Sequence, residues 1–261
     1  MLRRFLLTVL PPVLFFAIVV VVWQVIISLF HVSPLIMPGP QGIFASFWKQ
    51  PQTVASATWL TAKQSLCGFA LSLSVGALIA ICFSQSKMIR RCAFPYAIAF
   101  QTIPIISIAP LIILWFDRGF MAIVFVSFLI GLFPIITNST AGLINVSTGH
   151  SELFRLYRAS RWQILTKLQI PNALPDFVNG AKISAGLSVL GAIIGEYFAG
   201  QIEHNRGIGF WIYDSKEARL DRLFVYVFAS TLLGVTMFLT VTLVGDRILL
   251  HWRDPNLNEQ E

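Results

Sequence analysis

The sequence predicts an all-α, polytopic membrane protein. It is expected to have six transmembrane helices, a helical cytoplasmic loop between the fourth and fifth, and both termini in the cytoplasm. Three observations carry that expectation. The composition is 56% hydrophobic and only 12% charged, with mean hydropathy +0.74, whereas soluble domains hold about 25% charged residues. Six apolar stretches reach the roughly 20 residues that a helix needs to cross a bilayer core of about 30 Å. Lys and Arg, finally, are unequally shared between the segments that join those stretches.

The first span is residues 5–30, which carries Pro11-Pro12 near its start and then an unbroken apolar run from Val13 to Val22. No small-x-small cleavage site follows a short apolar core, so the run reads as a retained helix and not as a signal peptide. The second span is 66–83, with a start that could lie earlier. The third, 93–116, contains Pro95, Pro104 and Pro110, and the fourth, 120–143, passes through Pro134. The fifth lies within 175–199 and carries Lys182 and Glu196; the sixth, 223–245, is uncharged. Proline removes a helix hydrogen bond, so Pro104, Pro110 and Pro134 are expected to kink or interrupt spans three and four. Broken backbone at membrane depth is tolerated only beside protein or a water-filled cavity, which makes spans three to five the expected walls of a solute pathway. The domain organisation that follows is an N-terminal helix with its flank (1–36), a core (37–250) containing the loop 145–171, and a cytoplasmic tail (251–261).

With the N-terminus inside, the inner segments 1–4, 84–91, 145–171 and 246–261 hold eleven of the 19 basic residues: Arg3, Arg4, Lys87, Arg90, Arg91, Arg155, Arg158, Arg161, Lys167, Arg247 and Arg253. The outer segments hold six, Lys49, Arg118, Arg206, Lys216, Arg219 and Arg222. The net charge of +7 is accounted for by topology, with membrane lipid as the partner and no call for nucleic acid. Cys67, Cys82 and Cys92 form no CxxC and pair with no histidine, and are expected to be buried free thiols. His31, His150, His204 and His251 are scattered. There is no GxxxxGK[ST], since Gly180-Ala181-Lys182 lacks the upstream glycine, and no Ser-His-Asp set. The chain is therefore expected to be no enzyme and to hold no metal or cofactor. Any ATP would be bound by a separate subunit.

The loop 145–171 is the most informative segment. Leu153, Leu156 and Tyr157, then Ile164, Leu165 and Leu168, recur at helical spacing, with Arg155, Arg158, Arg161 and Lys167 between them. Two short amphipathic helices are expected. Pattern alone fits two uses equally: helices lying on the anionic inner leaflet, or a docking element for a cytoplasmic protein.

At this loop the chain resembles the permeases of binding-protein-dependent ABC importers, whose coupling loop reads Glu-Ala-Ala, three residues, Gly, nine residues, Ile-x-Leu-Pro. Glu152 stands at the Glu position, Leu153 and Phe154 at the alanines, Arg158 at the glycine, followed by Ala159 and Ser160, with Leu168-Gln169-Ile170-Pro171 as the closing tetrad. The similarity continues elsewhere. Met37-Pro38-Gly39-Pro40, Thr102-Ile103-Pro104 with Ala109-Pro110-Leu111, Phe133-Pro134-Ile135 through Leu143, and Gly207-Ile208-Gly209-Phe210 resemble the nitrate, sulfonate, taurine, thiamine-precursor and riboflavin group. The departures are bulkier residues at 153 and 154 and an arginine for the turn glycine. Arginine does not adopt positive φ cheaply, so either a continuous helix or a turn shifted by one residue is expected at Arg158.

The resemblance implies a permease subunit in a bacterial inner membrane, most simply one half of a homodimer. It implies a separate pair of ABC ATPase subunits that receives the loop, and an extracytoplasmic solute-binding protein that delivers a vitamin, a vitamin precursor, or a sulfonate- or nitrate-type anion. Candidates for the pathway are the polar residues in spans: Gln101, Thr102, Asn138, Ser184, Ser188 and Glu196, with Ser107 and Thr137 beside them. Serine and threonine hydroxyls serve helix packing equally well. Glu196 is either an outer-gate residue or an interfacial acid near Lys63. The rival function is an ion-coupled secondary transporter or channel subunit, for which Glu196 is the only fitting intramembrane acid; the two halves contain no inverted repeat.

Overall fold

The computed structural model describes residues 2–34, 36–116, 119–199, 206–216 and 219–252. These are helical, with no strand among them: α1 (Leu2–Leu29), α2 (Pro40–Lys49), α3 (Pro51–Gln85), α4 (Lys87–Thr102), α5 (Ile105–Trp115), α6 (Phe120–Ile144), α7 (Thr148–Leu156), α8 (Arg161–Ile164), α9 (Ile170–Ala199), α10 (Ile208–Ser215) and α11 (Leu220–Trp252), with a π turn, Leu165–Gln169, between α8 and α9. Most of the tail expected over 251–261, and Arg118 and Arg253, lie outside the described residues.

Among the described residues, four helical stretches are long and apolar enough to cross a bilayer: Pro51–Gln85, Phe120–Ile144, Arg161–Ala199 and Leu220–Leu250. The expected third span is a bent pair instead, α4 and α5 meeting at 96°. The break falls at Ile103-Pro104, where Pro104 has no N–H to continue α4 and becomes the residue that opens α5. Pro110 and Pro134 do not interrupt their helices; like Pro95 and Pro175 they sit inside them. Around Pro134, side chains bond freely to the backbone: Thr137 Oγ1 donates to the Phe133 carbonyl (2.9 Å) and Asn138 Nδ2 to the Pro134 carbonyl (2.8 Å). Span two begins at Pro51, well before 66. The fifth span does not start at 175, because the π turn joins α8 to α9 in one helical path. The expected second loop helix therefore merges into the span.

The core is a seam of small residues where α3, α6 and α9 meet, as membrane helices require when lipid supplies no hydrophobic drive to associate. A Cβ at Gly191 would stand 2.7 Å from the Ser127 Cα, and one at Gly131 would meet the hydroxyls of Ser72 and Ser184, both at 2.8 Å, and of Ser188. Hydroxyls stitch the seam: Ser72 Oγ donates to the Phe128 carbonyl (2.8 Å), Ser127 Oγ to that of Ser188 (2.7 Å), and Ser184 Oγ to that of Gly131 (2.8 Å). Such bonds contribute about 0.6 kcal/mol each in membranes. Gly131→Ala is expected to force those three serines apart and to cost about 1–3 kcal/mol. A fluorescence-detected thermal midpoint in detergent reads the effect, and an unchanged midpoint would contradict the close approach.

On the periphery, Trp23 of α1 packs on Phe224 and Phe228 of α11 at ring-centroid distances of 5.8 and 6.4 Å. The three cysteines are free but exposed on helix faces, not buried; small and weakly polar, they suit a lipid-facing surface as well as a core. Lys182 of α9 is paired with Asp246 of α11, which holds its ammonium at 2.9 Å.

Candidate functional site

The loop between α6 and α9 is built by local capping. The Ser147 hydroxyl accepts from the His150 N–H (3.4 Å) at the start of α7. At the other end the Ala159 N–H reaches the Phe154 carbonyl (3.0 Å) and the Arg158 N–H the Arg155 carbonyl (3.0 Å), with Arg158 at φ 50°. That pair of bonds is the Schellman arrangement, which ordinarily has glycine at the left-handed position. Arg158 thus neither continues the helix nor shifts the turn. It occupies the glycine's conformation at a cost of about 1–2 kcal/mol. His31, at φ 48° after α1, is the only other described non-glycine residue with positive φ. Ser160 then opens α8 with a reciprocal cap: Gln163 N–H to Ser160 Oγ (3.3 Å) and Ser160 N–H to Gln163 Oε1 (2.7 Å).

The loop is anchored on one side and bare on the other. Leu165 is buried with Ala80, Leu143 and Ala173. Gln85 Nε2 donates to Gln169 Oε1 (3.1 Å), and Asn172 Nδ2 to the Gly142 carbonyl (2.9 Å). Phe154, Ala159, Leu168 and Pro171 are half-buried, whereas Glu152, Leu153, Arg158 and Ser160 are exposed. Leu156, Tyr157 and Trp162 are 81%, 80% and 71% exposed. Apolar surface of this size at the end of a loop is what a docking face presents.

The pathway candidates divide. Gln101 and Thr102 lie exposed on the last turn of α4, at the break. Gln101 lines a cavity of about 290 Å³ with Phe100, Ile105, Ile130, Phe133, Pro134 and Leu187. Asn138 is half-buried on α6 and occupied with the Pro134 carbonyl. Ser184 and Ser188 are fully buried in the seam and face α6, not a cavity, because the close helix approach at Gly131 leaves no room for solvent.

Glu196 is also fully buried. Its carboxyl accepts from Thr61 Oγ1 at 2.7 and 3.0 Å and from the Gly209 N–H at 2.8 Å, and the Ile208 N–H donates to Thr61 Oγ1 at 2.9 Å. Two amides at the start of α10 are thereby satisfied by α3 and α9 together. Gly207 and Gly209 lie so close that a Cβ on the first would strike the Glu196 carboxyl and one on the second the Ile193 carbonyl. Lys63 takes no part; its ammonium stands 5.9 Å from the Trp59 ring centroid. Glu196 therefore closes a three-element junction and lines no described cavity. Sequence reasoning missed Thr61, Phe100 and Phe133. The glycine pair at 207 and 209 was visible, but only as a turn.

Residues 72–252 match the family of binding-protein-dependent transport system inner membrane components. The chain belongs to that family. This permease is 30% identical over 250 residues to the formylaminopyrimidine transport permease protein ThiX of Halalkalibacterium halodurans, covering 94% of this chain and 96% of that one. It is 30% identical over 239 residues to the riboflavin transport system permease protein RibX of Chloroflexus aurantiacus (89% and 86% covered). To the putative aliphatic sulfonates transport permease protein SsuC of Escherichia coli it is 29% identical over 241 residues (90% and 88%). Its fold is similar to that of a chain in an inward-facing structure of the MetNI methionine ABC transporter, with TM-score 0.63 and 18% identity over 79% of this chain and 99% of that one. The permease is thus a multi-pass membrane subunit of an ABC importer, partnered by an ATPase and a solute-binding protein, and is not itself an enzyme.

Proposed function

We propose that two copies of this permease, as a homodimer in a bacterial inner membrane with both termini in the cytoplasm, enclose the pathway between their α4–α5 breaks. The observation that carries this reading is the 96° break at Ile103-Pro104, which leaves Gln101 and Thr102 uncovered beside α6 and α9. An amide and a hydroxyl at a helix break make sense beside a hydrated path and not against lipid. The exposed loop spanning α7 and α8 docks the ATPase, with Glu152, Leu153, Phe154, Arg158, Ala159, Ser160, Leu168 and Pro171 as its coupling residues. The solute is a small molecule of the vitamin or vitamin-precursor class, as the names of the ThiX and RibX relatives suggest, with a sulfonate- or nitrate-type anion as the second class. Phe100 and Phe133 flanking Gln101 favour the first, since stacking faces and one amide suit a planar heterocycle.

The secondary-transporter reading has less support, because the carboxyl of Glu196 is committed to Thr61 and Gly209. The test is reconstitution of the permease with the ATPase that co-purifies with it. ATP hydrolysis should rise when a solute-loaded binding protein is added from outside. Uptake driven by an ion gradient without ATP would overturn the proposal in favour of the rival.

A further inference from the structure

The surface of α7 and α8 carries more positive charge than its architecture needs. Arg155, Arg158, Arg161 and Lys167 are all exposed. None of them makes an ion pair among the described residues, whose two ion pairs are Lys182–Asp246 and Arg222–Asp214. Glu152 is the one acid on the same surface. At Arg158 the chain also accepts a left-handed residue, φ 50°, where a glycine would relieve the strain. Strain retained at an exposed turn tip points to a use for the side chain that glycine lacks.

Anionic headgroups or a protein could attract such a patch, and helix length separates the two. The Thr61–Glu196 bond makes the outer parts of α3 and α9 level. With Glu196 set at the outer edge of the core, as the span expected within 175–199 has it, a core of about 30 Å takes about 20 residues at 1.5 Å per residue and ends near Asp176. Arg161 begins the same helical path, about 15 residues and about 20 Å further along the axis. The headgroup layer adds only about 5–8 Å on each side. The turn therefore stands clear of the bilayer surface, where a protein can reach it.

We propose that Arg158 is a docking residue whose left-handed turn displays its guanidinium, between Arg155 and Arg161, to a rim of carboxylates on the ATPase groove that receives Leu156, Tyr157 and Trp162. The proposal rests on the coupling-loop reading above and adds the chemistry of the partner's surface: acidic opposite the arginines, apolar at its floor, basic only opposite Glu152.

The test uses the full-length permease in nanodiscs and the ATPase that co-purifies with it, with the dissociation constant measured across a salt series. Arg158→Gly and Arg158→Asn both tolerate positive φ and remove the charge, whereas Arg158→Lys keeps the charge and the strain. The expected result is about tenfold weaker binding for Gly and Asn at low salt, with a shallower salt dependence, and near-native binding for Lys. Thermal midpoints at or above the parent's show that Gly and Asn have not simply unfolded the loop. Equal or tighter binding by Arg158→Gly with an unchanged salt slope would overturn the proposal and leave Arg158 as a turn residue only. An Arg158 effect seen in anionic nanodiscs and lost in neutral ones would assign the side chain to headgroups and overturn it equally. If the unsubstituted permease binds no ATPase, the coupling-loop reading itself fails, and this inference with it.

Discussion

Glu152→Lys is expected to abolish solute uptake while the permease still inserts and folds. Glu152 is exposed on α7 and has no ion-pair partner among the described residues, so folding loses nothing when it is replaced. On the proposed coupling surface its worth lies in the assembly. A carboxylate on a short docking helix meets a basic group of the partner, and reversing its sign places like charges together, a penalty of several kcal/mol at an interface. A penalty of that size lowers complex formation by at least about a hundredfold. Uptake in cells, pull-down of the ATPase and the amount of extractable permease separate the outcomes. Loss of uptake and pull-down with normal extraction supports the assignment. If uptake and ATPase attachment both survive, Glu152 is not part of the coupling surface.

Most of the helical framework was legible because apolar run length is a direct consequence of bilayer thickness. The extra short helices were not. α2 and α10 are 10 and 8 residues long, and their sequences read as turn motifs, with Gly39-Pro40 and Gly207-Ile208-Gly209 at their starts. Glycine and proline at a first turn mark a helix N-terminus as readily as a turn. The prolines show the limit of single-residue reasoning: of the three expected to kink or interrupt spans three and four, Pro104 breaks a helix, while Pro110 and Pro134 are absorbed. Which one breaks depends on whether nearby side chains and helices satisfy the freed carbonyls, and tertiary packing decides that.

At the loop, the amphipathic spacing announced α7. Arg158 could not be read correctly, because propensity alone argues against positive φ for arginine, and the Schellman bonds that hold it are backbone bonds with no side-chain signature. For Ser184 and Ser188, polarity inside a span suggested a pathway, whereas the structure places both side chains at the packed contact with α6. Their hydroxyl and carbonyl serve helix contacts with α6, a role that only the glycine on the opposing helix reveals.

Glu196→Leu is expected to damage the fold before it damages any gate. The substitution removes the acceptor of the buried Gly209 N–H and one of the acceptors of the fully buried Thr61 hydroxyl, which keeps the Ala57 carbonyl at 3.1 Å, while the Ile208 N–H still holds Thr61 from the other side. One buried N–H left unpaired costs about 1–3 kcal/mol, and the start of α10 loses its attachment to α9. A fall of about 2–8 °C in the thermal midpoint in detergent corresponds to that range for a chain of this size. Glu196→Gln keeps one carbonyl acceptor in the same place and is expected to lose about half as much. Thr61→Val removes the other partner of the same junction, so Glu196→Leu combined with Thr61→Val should destabilise by clearly less than the sum of the two single changes. A gate residue behaves differently: uptake would fall in Glu196→Leu while the midpoint and ATPase attachment stayed at the parent's values, and the Thr61 coupling would be absent. That second pattern would return Glu196 to the pathway and remove it from the junction of α3, α9 and α10.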